Sequence, residues 1–500
     1  HGHSQVLDHG AYAWRVDEWR GRPWHEAVIY ELHVGLFGSY AEVERFLPRL
    51  VELGVTAVEL MPLGEFPGRR NWGYDGVLPF APASAYGTPE QLKHLIDSAH
   101  GMGLMVFVDV IYNHFGPDGN YLAQYAAAFF RDDRQTPWGQ AIDFRRGEVR
   151  EFFYENALMW LLDYRVDGLR FDAVHAIPDS AFLVEMARRL RGAAGPERHV
   201  HLVLENDDNR ASLLRQGYDA QWNDDGHHAL HVLLTGENDG YYQDYPEPLR
   251  CLARCLAEGF VYQGEANRHG RPRGEPSADL APDAFVLFLQ NHDQVGNRAF
   301  GERLSVLAEP QALRLAIALQ LLAPMIPLLF MGEECAAREP FLYFTDHQGE
   351  LADAVREGRR KEFGEFGRFG EGATLASLPD PNAVETFERS RPGLADCDPA
   401  WRGFYRQLLE IRHEHLIPRL RGARSLGVTT IAGAALSARW RLGDGSDWRI
   451  DFNPSPLEAE VEPPAAATWV LFLDNLACAE YRRGRLSPRS IAVSLEPAHE

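Results

Sequence analysis

Eight short apolar segments rich in β-branched residues alternate, between residues 28 and 334, with segments of helical periodicity. The candidate strands lie at 28–34, 56–62, 104–114, 167–172, 200–205, 219–225, 284–293 and 326–334. Each connection between them is long enough to cross over and return to a parallel strand. The alternation predicts an α/β protein and, more specifically, a closed (β/α)8 TIM barrel, with a doubly wound open sheet as the alternative.

Candidate helices fill the connections, for example at 42–54, 88–103, 179–192 and 309–324. The first has an apolar stripe at helical spacing, formed by Val43, Phe46, Leu47 and Leu50. The second begins with Thr88 as a predicted N-cap, followed by proline in the first turn.

Ionisable and amide side chains follow five of the predicted strands, which favours the closed barrel over the open sheet. They are Asp109, Asn113 and His114, then Arg170 and Asp172, then Glu205, then Asn291, His292 and Asp293, and finally Glu333 and Glu334. The carboxyl ends of barrel strands meet at one face, where such enzymes keep their active sites. We therefore expect a shared polar pocket there.

Arg170 and Asp172 stand two positions apart in "GLRFDAVH", so in a strand they point to the same side. Alone, such a pair is most simply an ordinary salt bridge. With Glu205 and Asp293 it becomes a three-carboxylate set, which suits α-glucan chemistry: one group attacks the anomeric carbon, one protonates the leaving oxygen and one binds sugar hydroxyls. Arg170 is expected to keep Asp172 ionised and oriented.

Four ordered motifs resemble the sequence regions of the α-amylase superfamily of glycoside hydrolases. They are "DVIYNH" (109–114), "GLRFDAVH" (168–175), the Glu of "LVLEND" (202–207) and "FLQNHD" (288–293). The resemblance implies Asp172 as nucleophile, Glu205 as general acid/base and Asp293 as transition-state stabiliser. It also implies that four further residues hold the glucose at the cleavage site, namely Tyr74, His114, Arg170 and His292.

Within the superfamily, the closer resemblance is to the enzymes that hydrolyse maltooligosyltrehalose, through the stretches 65–77, 112–122, 221–245, 290–304 and 326–334. It implies cleavage of the α-1,4 bond next to the terminal trehalose and functional coupling to maltooligosyltrehalose synthase. That family normally carries a β-sandwich domain before the barrel, and none is expected within the short segment that precedes the barrel here. The expected contacts on the leaving-group side are Trp72, His175, Asp224, Asp225, Gln294 and Arg298.

The sequence departs from the amylase pattern at one position, and three alternative functions remain. Many amylases have a basic residue and then His after the nucleophile, whereas here Ala176 follows His175. Within the superfamily, the chain could instead be a glucan branching enzyme or a generic amylase-type hydrolase. A non-catalytic sugar-binding barrel is the alternative outside enzymes, and the intact set of three carboxylates argues against it.

The charge balance excludes several classes of partner. Fifty basic against 72 acidic residues give a formal net charge of −22, which disfavours nucleic acid and anionic membranes and fits a neutral oligosaccharide. No apolar run approaches the roughly 20 residues of a membrane helix, and no secretion signal is recognisable, so a cytoplasmic enzyme is expected.

The five cysteines, an odd number in a long chain, are not expected to form a disulfide framework. Cys251 and Cys255 are interpreted as core or half-exposed thiols, because CxxxC is a poor zinc signature. Asn113 matches a calcium-ligating position of many amylases, but no cluster of acids accompanies it, so no metal or other cofactor is expected.

Three regions are predicted: an amino-terminal linker (1–24), a catalytic barrel with loop excursions (25–421) and an all-β carboxy-terminal sandwich (422–500). The segment 401–420 reads as a last amphipathic helix, and short strand-like runs broken by Gly, Pro and Asp follow it. The charged segment from 340 to 399 is expected to be an excursion after the eighth strand.

Overall fold

The computed structural model describes residues 4–136, 139–364 and 377–498, and eight parallel strands close into a barrel. The strands are β1 (Ile29–Leu32), β2 (Ala57–Leu60), β3 (Met105–Val110), β4 (Gly168–Phe171), β5 (His201–Leu204), β6 (Ala220–Trp222), β7 (Phe285–Phe288) and β8 (Ile326–Phe330). Their order around the barrel is β1-β8-β7-β6-β5-β4-β3-β2, so each strand pairs with its neighbours in sequence and β8 closes onto β1. The predicted TIM barrel is confirmed, and the open sheet is excluded.

Helices occupy the connections outside the barrel. The main ones are α1 (Tyr40–Leu53), α2 (Pro89–Gly101), α3 (Gly147–Leu158), α4 (Ser180–Ala194), α5 (Ala211–Leu214), α6 (Asp224–Thr235), α7 (Pro248–Glu258), α8 (His292–Gly296), α9 (Pro310–Leu322), α10 (Gly349–Gly364), α11 (Val384–Arg389) and α12 (Pro399–Ile411). Short helical turns lie at Val34–Phe37, Leu122–Tyr125, Leu304–Leu307, Ile417–Leu420 and Cys478–Arg482.

The first two helices begin and pack as the sequence predicts. In α1 the stripe of Val43, Phe46, Leu47 and Leu50 is buried against the barrel. The chain leaves this helix through Gly54, whose φ of 103° is accessible to glycine without strain. The side chain of Thr88 caps α2 in a reciprocal capping box with Gln91.

All eight barrel strands are shorter than predicted, and after β6 and β7 an asparagine caps the helix that follows. The prediction extended the sixth strand to residue 225 and the seventh to residue 293. Instead, the Asn223 side chain accepts a hydrogen bond from the backbone of Gly226, and that of Asn291 accepts one from Gln294. These contacts satisfy free N–H groups in the first turns of α6 and α8. Both helices consequently start at the mouth of the barrel.

The amino-terminal end of the barrel is closed by side chains from the first predicted region. Trp24 packs under Phe107 and His201, and its indole N–H donates to the carbonyl of Asp283. Trp19 packs beside it and donates to Asp167. Burial of these aromatic surfaces fixes the segment against the barrel.

Five antiparallel strands form a carboxy-terminal sheet, which confirms the all-β region. They are β9 (Arg424–Ile431), β10 (Ala435–Arg441), β11 (Asp447–Asn453), β12 (Trp469–Asp474) and β13 (Ser490–Glu496), in the order β9-β10-β11-β13-β12. A ribbon of Ala459–Glu460 with Arg485–Leu486, together with Tyr481, covers one face. The second layer of the predicted sandwich is therefore this small ribbon.

The other face of the sheet packs on α9. Trp448 donates from its indole nitrogen to the carbonyl of Leu322, and Arg314 forms an ion pair with Asp474 at 2.8 Å. Because the barrel lies on the opposite side of α9, the helix is buried from Leu315 to Leu322. None of the helices in the described part of the chain is long and apolar enough to span a membrane.

The expectation for the cysteines is wrong for one pair. Cys335, just after β8, and Cys397, just before α12, form a disulfide with their Cα atoms 4.4 Å apart. Their sequence separation of 62 hides the pairing in the sequence. Cys255 is buried and Cys251 half-buried, as interpreted. In the predicted excursion, α10 and α11 flank residues 365–376, which lie outside the described residues.

Candidate active site

Charged side chains from β3 and β4 meet inside the carboxyl end of the barrel. Asp109 and Arg170 are register partners on these two strands, and Arg170 is in turn the partner of Val203 on β5. Asp172 and Glu205 follow β4 and β5 directly. Side chains at matched heights on parallel strands face the same side of a sheet, so the barrel brings the predicted groups together.

Arg170 is the centre of this group and is completely buried. Its guanidinium donates to Asp109 (2.7 Å), to Asp172 (3.0 Å) and to Glu205 (2.8 Å). It also lies over the ring of Trp222, 4.2 Å from the ring centroid. A planar fork with several donors can orient several carboxylates at once. The pair noticed in the sequence is therefore part of a network that fixes two of the three predicted catalytic carboxylates relative to each other.

The three carboxylates differ in their access to solvent. The exposed fraction of the side chain is 9% for Asp172, 19% for Glu205 and 33% for Asp293. Asp172 also accepts a hydrogen bond from the amide of Asn113 at 3.1 Å. Asp172 therefore lies deepest, held by two donors, and Glu205 lies nearer the mouth.

The backbone turns sharply after Asp172. Ala173 has φ 41° and ψ 49°, a left-handed conformation that costs a non-glycine residue roughly 1–2 kcal/mol. This turn directs the Ala173 N–H to Glu205, to which it donates at 2.9 Å. The strained backbone at Ala173 therefore helps to position Glu205, the candidate acid.

The pKa of Asp172 is set by its burial and by the charged groups close to it. Burial, and then the neighbouring carboxylate of Glu205, raises the pKa of Asp172, while Arg170 acts in the opposite direction. A second carboxylate in the same small volume opposes the ionisation of Asp172, and the shared cation favours it. The sequence-based expectation that Arg170 simply keeps Asp172 ionised is therefore incomplete.

His292 joins Asp293 to a glutamate inside the barrel. Its Nδ1 lies 2.5 Å from Glu31, its backbone N–H donates to the same carboxylate at 3.0 Å, and its Nε2 lies 3.3 Å from Asp293. Burial disfavours the cation, but Asp293 and Glu31 outweigh burial and raise the pKa of His292. Burial likewise opposes ionisation of Asp293, yet the His292 cation lowers its pKa to about 2.

The residues expected to hold the glucose line the opposite wall of the site. The Tyr74 hydroxyl donates to Asp109 at 2.6 Å, and its ring stacks on His292 with centroids 4.9 Å apart. His114 lies 2.9 Å from the Tyr74 carbonyl and 2.8 Å from the amide oxygen of Asn113. The structure therefore brings Tyr74, His114, Arg170 and His292 together, as predicted.

A second group of polar side chains lies beside Glu205. Gln294 donates to Asp224 at 3.2 Å and accepts from the hydroxyl of Tyr241 at 3.3 Å. Burial and then the charge of Glu205 raise the pKa of Asp224. His175 is half-buried at the same edge and accepts from the backbone N–H of Asp207 at 3.3 Å.

Two residues predicted to touch substrate are instead buried structural groups. Trp72 is 4% exposed, stacks on Phe341 and donates its indole N–H to a carbonyl, so it packs behind His292. Asp225 is fully buried and accepts from two backbone N–H groups, the Tyr245 hydroxyl and the side chain of Asn209. A carboxylate saturated in this way has no acceptor left for a sugar.

Arg298, expected to contact substrate, is held by an ion pair in the wall of a neighbouring cavity. It forms two hydrogen bonds to Glu237, at 2.7 and 3.0 Å, in the wall of a cavity of about 270 Å3. Tyr241 and Asn297 also line this cavity, and Asn297 donates to Asp293 at 3.2 Å. The cavity therefore adjoins the site from the side of Asp293.

Sequence reasoning missed Glu31 as a part of the site. Glu31 lies in "VIYELHV", where a carboxylate inside an otherwise apolar strand was a usable signal. Among the residues that the structure describes, no cluster of three or more His, Cys, Asp or Glu could hold a metal ion, and Asn113 is engaged by Asp172 and His114.

Comparisons with known proteins agree with this geometry. Residues 36–138 match the family model of the α-amylase catalytic domain, and residues 423–493 match a domain of unknown function, DUF3459. The malto-oligosyltrehalose trehalohydrolase of Deinococcus radiodurans is 41% identical over 469 residues, covering 89% of this chain and 77% of the relative. The enzyme of the same name from a Rhizobium species is 40% identical over 517 residues, covering 99% of this chain and 85% of the relative.

A crystal structure of a Salmonella typhimurium protein assigned as an α-amylase superimposes with a TM-score of 0.91 at 43% identity, covering 98% of this chain and 85% of that one. The identity and coverage of the relatives extend over the barrel and the carboxy-terminal sheet together. The chain therefore belongs to the malto-oligosyltrehalose trehalohydrolase family, within the α-amylase superfamily of glycoside hydrolases.

Proposed function

We propose that the protein hydrolyses the α-1,4-glucosidic bond next to the terminal trehalose of maltooligosyltrehalose, with retention, releasing trehalose and a maltooligosaccharide. The observation that carries the proposal is the bridging of Asp172 and Glu205 by one guanidinium. Two carboxyls held by the same planar group are close neighbours, as a retaining mechanism requires. An inverting enzyme needs a wider gap that admits a water molecule.

In the proposed first step, the carboxylate of Asp172 attacks the anomeric carbon while Glu205 gives its proton to the departing glycosidic oxygen. Asn113 and Arg170 orient the nucleophile. In the second step, Glu205 takes a proton from water, and the water oxygen displaces Asp172 from the sugar. Asp293, kept ionised by His292, stabilises the oxocarbenium-like transition states that flank the covalent intermediate.

The choice of trehalose as leaving group rests on the polar groups beside Glu205. Asp224, Gln294 and Tyr241 surround the place where a leaving sugar meets the acid. A site built to hydrogen-bond a defined pair of sugars leaves polar groups unpaired with any other leaving group, which lowers the rate for the wrong substrate. The names of the two relatives support the same substrate.

The proposal is tested by comparing kcat/KM for maltotriosyltrehalose and maltopentaose. We expect a clear preference for maltotriosyltrehalose, with free trehalose as product and the α anomer formed first. Equal values, or a preference for maltopentaose, would make the chain a generic amylase-type hydrolase. New branch points in amylose would instead make it a branching enzyme.

We further propose that maltooligosyltrehalose synthase supplies the substrate, since an enzyme that forms the trehalose end must act before this one. A cytoplasmic location is proposed as well, supported by the three free thiols at Cys251, Cys255 and Cys478. The Cys335–Cys397 disulfide is the observation against it. Trapping thiols in intact cells and counting them in the isolated protein tests the compartment.

For the organisation of the chain, we propose a linker at 1–24, a catalytic unit at 25–421 and a carboxy-terminal unit at 422–500. The last helical turn, Ile417–Leu420, precedes β9 by three residues, which supports a boundary there. Mapping the first cut made by a protease at low concentration tests it.

A further inference from the structure

His228 lies on α6, one turn after Asp224. Side chains four residues apart on a helix share a face, so its imidazole follows Asp224 along the wall beside Glu205. The ring centroids of Tyr241 and Tyr245 are 4.7 and 4.9 Å from that of His228. Tyr241 is 43% exposed, which places the edge of this group at the surface of the site.

The imidazole of His228 has no hydrogen-bonding role within the described protein. The residue is only 6% exposed, its Nδ1 is completely buried without a partner, and Nε2 forms no hydrogen bond with any described residue. The neighbouring His227 and His231 differ, because His227 contacts the carbonyl of Leu289 and the hydroxyl of Tyr242, and His231 contacts Glu237. The hydrogen bonds of His227 and His231 stabilise the fold, which accounts for both of those imidazole rings.

Burial of an unpaired imidazole at this position is unfavourable, and packing alone does not explain why a histidine is found there. Burying a polar group without a partner destabilises the fold, which a phenylalanine of similar shape would avoid. Burial, and then His227 and Arg273, lower the pKa of His228, so the ring is neutral and carries one donor and one acceptor. That combination matches a sugar hydroxyl.

The position of His228 assigns it to one side of the cleavage point. It belongs to the helix after β6, the strand next to Glu205, whereas Tyr74 and His114 belong to the opposite wall. In a retaining mechanism the acid contacts the oxygen of the leaving sugar. A side chain on this wall therefore meets the leaving group rather than the sugar that becomes attached to the enzyme.

We propose that His228 is a specificity-determining residue that hydrogen-bonds a hydroxyl of the leaving disaccharide through Nε2, next to Asp224 and Tyr241. The inference rests on the proposed function, because it takes trehalose as the leaving group. It assigns part of the preference for maltooligosyltrehalose to one neutral histidine.

The experiment replaces His228 by Phe, which keeps the ring and removes both nitrogens, and by Gln, whose terminal amide reaches as far as Nε2. Each variant is assayed with maltotriosyltrehalose and with α-maltotriosyl fluoride, which has no leaving sugar. We expect His228→Phe to lower kcat/KM for maltotriosyltrehalose at least tenfold and that for the fluoride less than threefold. His228→Gln should recover most of the loss, and trehalose should inhibit the Phe variant more weakly.

The matched control is His227→Phe, the same change on a ring whose nitrogens are both used within the protein. It should lower stability and leave the ratio of the two kcat/KM values unchanged, because that ratio does not depend on the folded fraction. Equal losses of both substrates in His228→Phe, or no loss, would overturn the inference. If the proposed function itself fails, wild-type protein will show no preference for maltotriosyltrehalose over maltopentaose, which is a separate result.

Discussion

Replacement of Glu31 by Gln tests whether the barrel interior sets the charge of the catalytic site. The carboxylate accepts from both Nδ1 and the backbone N–H of His292. A glutamine has one acceptor oxygen, and its NH2 group cannot accept the second bond, so at least one charge-assisted hydrogen bond is lost. Such a bond contributes about 1.5–3 kcal/mol, and 1.4 kcal/mol corresponds to a factor of ten.

We therefore expect Glu31→Gln to lower kcat/KM by roughly 10- to 150-fold. Without the Glu31 charge, one of the two carboxylates that raise the pKa of His292 is lost and this pKa falls, so the alkaline limb of the pH–rate profile should move to lower pH. The raised pKa of His292 stabilises the folded state fully below its ordinary value of 6.5, and this contribution is lost as the pH rises through the folded pKa. The difference in Tm between the two proteins should accordingly be largest below pH 6.5 and shrink in alkali.

Glu59→Gln is the matched control. Glu59 is the register partner of Glu31 on β2, but both of its carboxyl oxygens are buried without a hydrogen-bond partner. Burial, and then Glu31, raises the pKa of Glu59, which favours its neutral form, and that form resembles glutamine in shape and charge. The kcat/KM of the Glu59→Gln enzyme should stay within threefold of the wild-type value. A Glu31→Gln enzyme with the same rate and the same alkaline limb as wild type would refute the reasoning.

Three further predictions follow from contacts in the site. Asp172→Asn should stay folded and lose nearly all turnover, measured by release of trehalose with a circular dichroism spectrum as control; near-normal rates would end its assignment as nucleophile. Activity should survive dialysis against EDTA, whereas complete loss that calcium restores would establish a metal site. Gly296→Ala should destabilise the protein by about 1–3 kcal/mol in urea and reduce activity, because the new Cβ would lie 2.0 Å from the buried ring of Trp72 beside His292; unchanged stability would contradict this packing.

The sequence predicts the barrel well because the alternation of apolar strands and helical crossovers is repeated eight times. Every one of the eight strands was detected, since buried parallel strands are short, apolar and separated by long crossovers. The strand ends were placed too late at Asn223 and Asn291, where polar side chains cap the next helix within a single turn. A local propensity pattern does not distinguish a polar strand end from a helix cap.

The site was predictable wherever a motif and a strand end coincide, as at Asp172, Glu205 and His292. It was less predictable where neighbouring residues in one segment point in different directions. Asp224 and Asp225 are adjacent in sequence, yet Asp224 accepts a hydrogen bond from Gln294, whereas Asp225 accepts from two buried backbone N–H groups. The helical rotation of about 100° per residue decides between them, and the helix start was not known from the sequence.

The position of α9 has a consequence for cooperativity. An outer helix of a barrel ordinarily keeps one polar face in water, but this helix is apolar from Leu315 to Leu322 apart from Gln320. Removing the carboxy-terminal sheet would expose that surface in the connection between β7 and β8, the last strand needed to close the barrel. The sheet and the barrel should therefore melt as one calorimetric unit, and a catalytic barrel excised at residue 421 should aggregate instead of surviving as an independent module.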